Sequence, residues 1–142
     1  MTNKEKKRYL MQYRKLELQI DRELEELERW KSKATKVTPT YTDTPKGNSS
    51  GDRLQTTVEK IIELSAQINR DIDHLVDTRC AIWEAIQNIQ DESYKTLLSY
   101  RYIDGMTWEQ IATKMYYDRS HVCRLHGQAL NAIILDEKNE TK

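Results

Sequence analysis

The sequence predicts an all-α protein in which N-terminal coiled-coil helices, able to pair as an antiparallel hairpin, precede a C-terminal helix-turn-helix domain. Apolar residues recur in alternating steps of four and three along residues 9–30 and 54–89, which is the heptad pattern of coiled-coil helices. After residue 91 the heptads stop and three shorter helices are expected, each preceded by a capping residue. Four glycines, two prolines and no phenylalanine among 142 residues are typical of a helix-rich protein rather than of a β-sandwich or barrel.

The first predicted element is a basic amphipathic helix within residues 1–33. Residues 1–36 carry a net charge of +4, and their apolar stripe has Glu23 as its one interruption. A helix with such a stripe needs a partner to cover it. The stripe consists of Tyr9, Tyr13, Leu16, Ile20, Leu27 and Trp30. The cations of the first four turns are interpreted as a solvated helix end rather than as phosphate contacts; they are Lys4, Lys6, Lys7, Arg8, Arg14 and Lys15.

Residues 34–51 are predicted to be a flexible linker. This stretch contains five threonines, both prolines of the chain, a pair of serines and two glycines. Such a composition cannot bury enough apolar surface to offset the entropy cost of ordering the backbone.

A long coiled-coil helix is predicted over residues 52–91, where only Ser65 and Arg79 interrupt the apolar stripe. Residues 37–91 carry a net charge of −4, opposite to that of the first helix, so we expect the two helices to pair within the chain. Because the second helix is the longer one, part of its stripe would remain open, and a homodimer through the coiled-coil helices would cover it. The stripe consists of Leu54, Val58, Ile61, Ser65, Ile68, Ile72, Leu75, Arg79, Ile82, Ile86 and Ile89.

Residues 92–135 are predicted to form the helix-turn-helix domain, followed by a disordered tail over residues 136–142. Asp91 is suited to cap a helix that runs to about Ile103, and Gly105 supplies the left-handed conformation with which such a helix ends. The apolar residues expected inside this helix are Tyr94, Leu97, Leu98 and Tyr102.

Two further helices follow, separated by three residues. Thr107 and Gln110 have the spacing of a capping box, which predicts a helix from Trp108 to about Met115. Asp118 is suited to cap the last helix. Its inner stripe is Val122, Leu125, Ala129, Leu130 and Ile133.

Two short helices around a three-residue turn predict a module that binds double-stranded DNA. In a helix-turn-helix, the outward side chains at the start of the second helix point into the major groove. Arginine can bind guanine through two hydrogen bonds, and Ser or Gln can reach other base edges or phosphates. The candidate DNA-binding residues are Thr107, Trp108, Arg119, Ser120, His121, Cys123, Arg124 and Gln128.

Residues 94–133 resemble region 4 of bacterial primary sigma factors, the part that reads a promoter element. The resemblance rests on Leu97-Leu98, Arg101-Tyr102, Gly105, the run from Thr107 to Ala112, Val122, Leu125 and Ala129-Leu130. A wider stretch, residues 45–133, resembles small phage and prophage proteins of Gram-positive bacteria, similar to the ArpU/RinA-type regulators of late genes. This stretch begins with Pro45-Lys46-Gly47 and ends with His121-Val122, Arg124-Leu125 and His126-Gly127. The resemblance implies regulation of late phage transcription by DNA binding next to a promoter, with RNA polymerase as a further partner.

The chain departs from the sigma pattern at two positions of the motif. Tyr116 stands where the turn commonly has glycine, so it must adopt a positive φ or the turn must differ. Cys123 stands at an outward position where a basic residue is common. The chain also lacks the regions with which a complete sigma factor grips polymerase and melts a promoter, so we do not expect a free-standing sigma factor.

No catalytic, cofactor or metal site is expected. His121, Cys123 and His126 are spaced so that their side chains point in different directions from a helix and do not converge on one ion. The sequence has no glycine-rich phosphate loop and no nucleophile elbow. Without an apolar run long enough to cross a bilayer, and with Cys80 and Cys123 far apart, we expect a cytoplasmic protein of the bacterial host cell with reduced thiols and no membrane association.

Two other functions fit the same pattern. A DNA-packaging recognition protein resembling a small terminase subunit also joins a helix-turn-helix to oligomerising helices, and it would form a ring in solution. An adaptor that binds RNA polymerase without touching DNA would retain its activity after substitution of Arg119 and Arg124.

Overall fold

A computed structural model describes residues 1–36 and 49–136 of the chain. Contacts divide the molecule into two compact units: Leu18–Asp73, termed the hairpin unit, and Met1–Glu17 together with the chain from His74 onward, termed the C-terminal unit. The described ranges hold no β-strand, and their α-helices are α1 (Asn3–Lys36), α2 (Ser49–Gln87), α3 (Glu92–Leu98), α4 (Trp108–Met115) and α5 (Arg119–Ala132).

The predicted all-α class is confirmed for the described ranges, but several helix boundaries differ from those expected. Helix α1 continues to Lys36, because the heptad row reaches a half-buried Ala34 and no proline or glycine follows before Pro39. Helix α2 begins at Ser49, so both ends of the predicted linker are helical. The remainder of that linker, residues 37–48, and residues 137–142 of the predicted tail lie outside the described residues.

In the hairpin unit, α1 and α2 run antiparallel. Gln19 Nε2 donates to Asp71 Oδ2 at 3.3 Å, near one end of the pair. At the other end, Lys36 and Arg53 border the same groove. The α1 residues Ile20 and Leu27 are buried, so the stripe predicted for α1 faces its partner helix.

The buried stripe of α2 differs in part from the predicted one. Ile61, Ile68, Leu75 and Ile82 are buried or half-buried as expected, whereas Val58 and Ile72 are 43% and 38% exposed. The stripe is rotated about the helix axis, so that Thr57, Leu64, Asp71 and Thr78 take the places predicted for Val58, Ser65, Ile72 and Arg79. Polar groups can occupy this side because their hydrogen bonds are satisfied locally: Thr57 Oγ1 donates to the carbonyl of Arg53 at 2.8 Å.

The hydrophobic core of the C-terminal unit combines the first turns of α1, the end of α2 and the helices α3 to α5. Helix α5 packs against both α3 and α4. The inner residues predicted for α5 are all buried. The side chains of this core with almost no exposed surface are Leu10, Ile82, Ile86, Leu97, Leu98, Tyr102, Ile111, Val122 and Ile133.

The segment predicted as one helix over residues 92–103 begins as α3 and ends as a π-helical turn, Ser99–Ile103. Asp91 caps α3 as predicted, accepting hydrogen bonds from the backbone N–H groups of Ser93 and Tyr94. The N–H of Asp104 donates to the carbonyl of Ser99 at 3.0 Å, five residues earlier. This wider turn allows the adjacent Tyr102 and Ile103 to be buried together.

No helix in the described ranges is long and apolar enough to cross a membrane. Cys80 and Cys123 are exposed and form no disulfide.

Candidate nucleic-acid interface

Helix α4 begins with the predicted capping box. The N–H of Gln110 donates to Thr107 Oγ1 at 3.2 Å, and the N–H of Thr107 donates to Gln110 Oε1 at 2.9 Å. These two bonds satisfy donors that a helix start otherwise leaves open. Ile111 and Ala112 are buried, whereas Glu109, Gln110, Thr113 and Lys114 are exposed.

Tyr116 ends α4 in the left-handed conformation, with φ 61° and ψ 36°. The N–H of Tyr117 donates to the carbonyl of Ala112 at 3.0 Å, and the N–H of Tyr116 donates to the carbonyl of Thr113 at 3.3 Å. This is the pattern of a Schellman C-cap, which usually carries glycine at the residue with positive φ. Tyr116 is 94% exposed, so no burial of its ring offsets the strain of the backbone.

Asp118 caps α5 as predicted, because its Oδ1 accepts the N–H of His121 at 2.7 Å. The His121 ring stacks on the ring of Tyr117 with their centroids 4.2 Å apart. The cap and the stacked pair fix the point at which the chain leaves the turn and enters α5.

Six of the candidate DNA-binding residues are exposed; they are Thr107, Arg119, Ser120, Cys123, Arg124 and Gln128. Five of them lie on α5, and none of the five belongs to its buried stripe. Arg119 Nη1 is 3.0 Å from Glu109 Oε1, which joins the start of α5 to α4. Gln128 Oε1 accepts a hydrogen bond from the hydroxyl of Tyr94 at 3.4 Å.

Trp108 is half-buried beneath this surface. Its ring lies edge-on to the ring of His126, with centroids 4.7 Å apart, and the guanidinium of Arg101 lies 4.4 Å from the Trp108 ring centroid. Arg101 Nη1 also donates to the carbonyl of Met106 at 3.0 Å. Trp108 therefore connects the start of α4 to α5 and to the turn before α4.

The same cluster contains a partly buried hydrogen bond between two titratable rings. The hydroxyl of Tyr102 is 2.7 Å from His126 Nε2. Burial raises the pKa of Tyr102 to about 12, and burial together with the charges of Lys7 and Arg101 lowers the pKa of His126 to about 4. Both rings are therefore neutral at neutral pH, and we assign the hydroxyl as the donor and Nε2 as the acceptor.

Three features of this surface were absent from the sequence-based candidates. Glu109 pairs with Arg119, Lys114 Nζ lies 4.9 Å from the Tyr100 ring centroid, and Lys6 Nζ donates to the carbonyls of Leu130 and Ile133 at 2.8 Å each. Lys6 thus caps the end of α5, which is an internal role for one of the cations interpreted as a solvated helix end. Residue spacing within one helix does not reveal contacts between helices; only the exposed positions of Glu109 and Lys114 on α4 could have been inferred.

A model of the family DUF1492, described as a protein of unknown function, matches residues 42–133 of this chain. No curated protein and no solved structure matches this chain.

Proposed function

The chain belongs to the DUF1492 family, and we propose that it binds double-stranded DNA in a sequence-specific manner through α5 and thereby regulates transcription. The proposal rests on one observation above all. Helix α5 follows α4 after three residues, and five of the candidate side chains on α5 are exposed to solvent. This is the arrangement in which the second helix of a helix-turn-helix reads the major groove.

The dimensions of α5 suit this role. Its 14 residues correspond to a length of about 21 Å, and a helix of ordinary diameter fits the B-DNA major groove, about 12 Å wide. Within the proposal, Arg119 and Arg124 contact base edges or phosphates, and Ser120, Cys123 and Gln128 contact neighbouring positions. Trp108 contributes by holding α4 against α5, because its ring is engaged with Arg101 and His126.

The resemblance to sigma region 4 and to late-gene regulators of phages supports transcription as the process that this binding serves. In this proposal the protein acts by binding and carries out no catalysis. RNA polymerase is a proposed second partner, bound at the same promoter. In the hairpin unit α1 itself covers the buried stripe of α2, so DNA binding does not require a homodimer through that stripe.

Fluorescence anisotropy with labelled duplexes tests the proposal. One duplex covers the promoter regions next to the protein's own gene, and an unrelated duplex has the same length and base composition. We expect tighter binding to the first duplex, and Arg124→Ala should weaken it by about tenfold, or about 1.4 kcal/mol, which lies within the range of about 1–3 kcal/mol for one base contact. Lys31→Ala, on the exposed surface of the hairpin unit, is the matched control. Equal binding of both duplexes by the wild type would exclude sequence-specific recognition.

A further inference from the structure

The hairpin unit has strongly unequal charge on its two sides. Each helix turns one heptad row toward its partner and leaves two flanks, one on either side of the contact. One flank, termed the basic flank, carries the polar residues next to the contact rows on both helices. Its cations are Arg22, Arg29, Lys33 and Lys36 on α1 and Arg53, Lys60 and Arg70 on α2.

Two grooves between the helices place five of these seven cations on one side, and heptad position assigns Arg22 and Arg29 to the same side. Glu26 and Trp30 of α1 line one groove together with Lys60, Gln67 and Arg70 of α2. A second groove, nearer the start of α2, is lined by Lys33 and Lys36 together with Arg53. All seven cations are exposed.

The cations of the unit are almost completely segregated among its described residues. Lys31 is their one cation away from the basic flank, and Glu26, Asp52 and Glu63 are the three carboxylates on it. Seven cations and three carboxylates leave a net charge of +4 on this flank. The opposite flank and the outward positions carry the exposed Leu24, Val58, Ile62 and Ile72 and the carboxylates of Asp21, Glu25, Glu28, Glu59 and Asp73.

We propose that the basic flank of the hairpin unit is a second nucleic-acid contact, one that binds the phosphate backbone of duplex DNA without reading its sequence. This inference rests on the proposed binding of duplex DNA by the protein. The charged row runs along about 26 Å of α2, a length over which a DNA duplex carries about 15 phosphate charges. Binding releases the counterions condensed on those phosphates, and this release supplies affinity that is independent of sequence.

The proposal also accounts for the low charge of the candidate interface. The outward side of α5 has only Arg119 and Arg124 as cations, and Arg119 is paired with Glu109. Two cations supply little of the salt-dependent affinity that a DNA-binding protein needs. The basic flank supplies the missing charge, while α5 supplies base contacts.

The test compares two triple variants of the full-length protein that change its net charge by the same amount. The flank variant is Lys33→Gln, Arg53→Gln and Arg70→Gln. The control variant is Lys31→Gln, Ala66→Glu and Asn69→Asp, which alters exposed residues off the basic flank. Affinity for the own-promoter duplex and for the unrelated duplex is measured by anisotropy at several salt concentrations.

We expect the flank variant to bind both duplexes about tenfold more weakly and to reduce the slope of log K against log salt by about 2 to 3, because each phosphate contact contributes about 0.9 to it. The control variant should stay within about twofold of the wild type, since distant exposed charges are screened. Equal weakening in the two variants would overturn the proposal, because the effect would then reflect net charge alone. Binding of the wild type to anionic lipid vesicles but not to either duplex would overturn it as well.

The α5 assignment and the flank assignment fail in different ways. If the flank variant loses affinity while Arg124→Ala leaves the preference between duplexes unchanged, the flank proposal stands and the role of α5 falls. If Arg124→Ala abolishes the preference while the flank variant binds like the control, the role of α5 stands and the flank proposal falls.

A melting curve followed by circular dichroism verifies that each variant is folded. If the triple variant is unfolded, Arg22→Gln with Lys60→Gln on the same flank replaces it, with an expected weakening of about fivefold.

Discussion

Glu23 of α1 and Asp71 of α2 lie beside each other in the hairpin unit, and each interrupts the contact row of its own helix. Gln19 Nε2 bridges them, donating to Glu23 Oε1 at 2.9 Å and to Asp71 Oδ2 at 3.3 Å. Gln67 Nε2 donates to Asp71 Oδ1 at 3.0 Å. Among the described residues, Glu23 Oε2 is buried without a hydrogen-bond partner. The one polar interruption in the stripe of α1 thus meets a carboxylate on α2 rather than a cation.

The Glu23 carboxyl makes the hairpin unit less stable when it is ionised. Burial raises the pKa of Glu23 above 4.5, and the neighbouring carboxylate of Asp71 raises it further against the opposing effect of Gln19. The folded state therefore binds this proton more tightly than the unfolded state does. The resulting stability is present at low pH and is lost as pH rises from about 4.5 through the raised pKa.

We predict that Glu23→Gln raises the free energy of unfolding at pH 7 by about 1 kcal/mol, because the amide imitates the protonated carboxyl. The gain should shrink as pH falls through the raised pKa, because the wild-type carboxyl then takes up a proton itself. Urea unfolding at several pH values measures both effects. Glu25→Gln is the control, because Glu25 is exposed. A lower stability of Glu23→Gln at pH 7 would show that the ionised carboxylate is tolerated.

His126 should have the opposite pH dependence. Its pKa is lowered from 6.5 to about 4, mainly by burial, so the unfolded state binds the proton more tightly than the folded state. The stability that neutral His126 contributes is therefore fully present above pH 6.5 and is lost as pH falls from 6.5 toward 4. Because the ring is partly solvated, we expect a loss of about 1–2 kcal/mol.

The measurement compares urea unfolding of the wild type and of His126→Gln at pH 7 and pH 5. Glutamine retains an acceptor for the Tyr102 hydroxyl but does not titrate, so the difference in stability between the two pH values should decrease in this variant. His121→Gln, whose ring stacks on Tyr117 at the start of α5, should keep the wild-type difference. An unchanged pH dependence in His126→Gln would assign the effect to other groups.

Tyr116→Gly should stabilise the protein by about 1 kcal/mol. Glycine adopts the left-handed conformation of this C-cap without the clash of a Cβ, and the exposed tyrosine ring contributes little packing. Thermal unfolding followed by circular dichroism measures the gain. Tyr116→Ala is the control, because it removes the ring but keeps the Cβ, and we expect it to change stability by less than about 0.5 kcal/mol. A destabilised Tyr116→Gly would mean that the ring makes a contact worth more than the strain.

Gly105→Ala should destabilise the protein by about 1–2 kcal/mol. Gly105 has a φ of 70°, which strains any residue with a Cβ, and the guanidinium of Arg14 at the end of its flexible side chain would have to move away from that Cβ. The double variant with Arg14→Ala should recover part of the loss, because it removes the overlap but not the backbone strain. Gly127→Ala is the matched control: its Cβ would meet open space within α5, so we expect a gain of about 1 kcal/mol. Equal losses at both glycines would contradict this account.

Glu109→Gln should tighten DNA binding by about three- to tenfold. The change releases Arg119 from an exposed ion pair and removes a negative charge from the surface proposed to face phosphates. Anisotropy with the own-promoter duplex measures the effect, and Glu92→Gln, at the exposed start of α3, is the control. Weaker binding would instead show that Glu109 holds Arg119 in the orientation that DNA requires.

The sequence by itself determined the features that depend on neighbouring residues in the chain. Asp91, Thr107, Gln110 and Asp118 make the capping bonds that their spacing predicts, and Tyr116 has the positive φ that the three-residue turn requires. The inner stripe of α5 follows from its helical period. These interactions span four residues or fewer, so the order of the residues specifies them.

Only the tertiary structure decided which side of α2 is buried. The row of Ile61 and Ile68 fits two heptad stripes equally well, one through Val58 and Ile72 and one through Thr57 and Asp71. Hydrophobicity favours the first stripe, but α1 packs on the second, where the hydroxyl of Thr57 and the carboxylate of Asp71 find hydrogen-bond partners. The side of a helix that faces solvent depends on where its partner helix packs. The packing of α1 on this side of α2 therefore also brings the cations of α1 and α2 together on the basic flank.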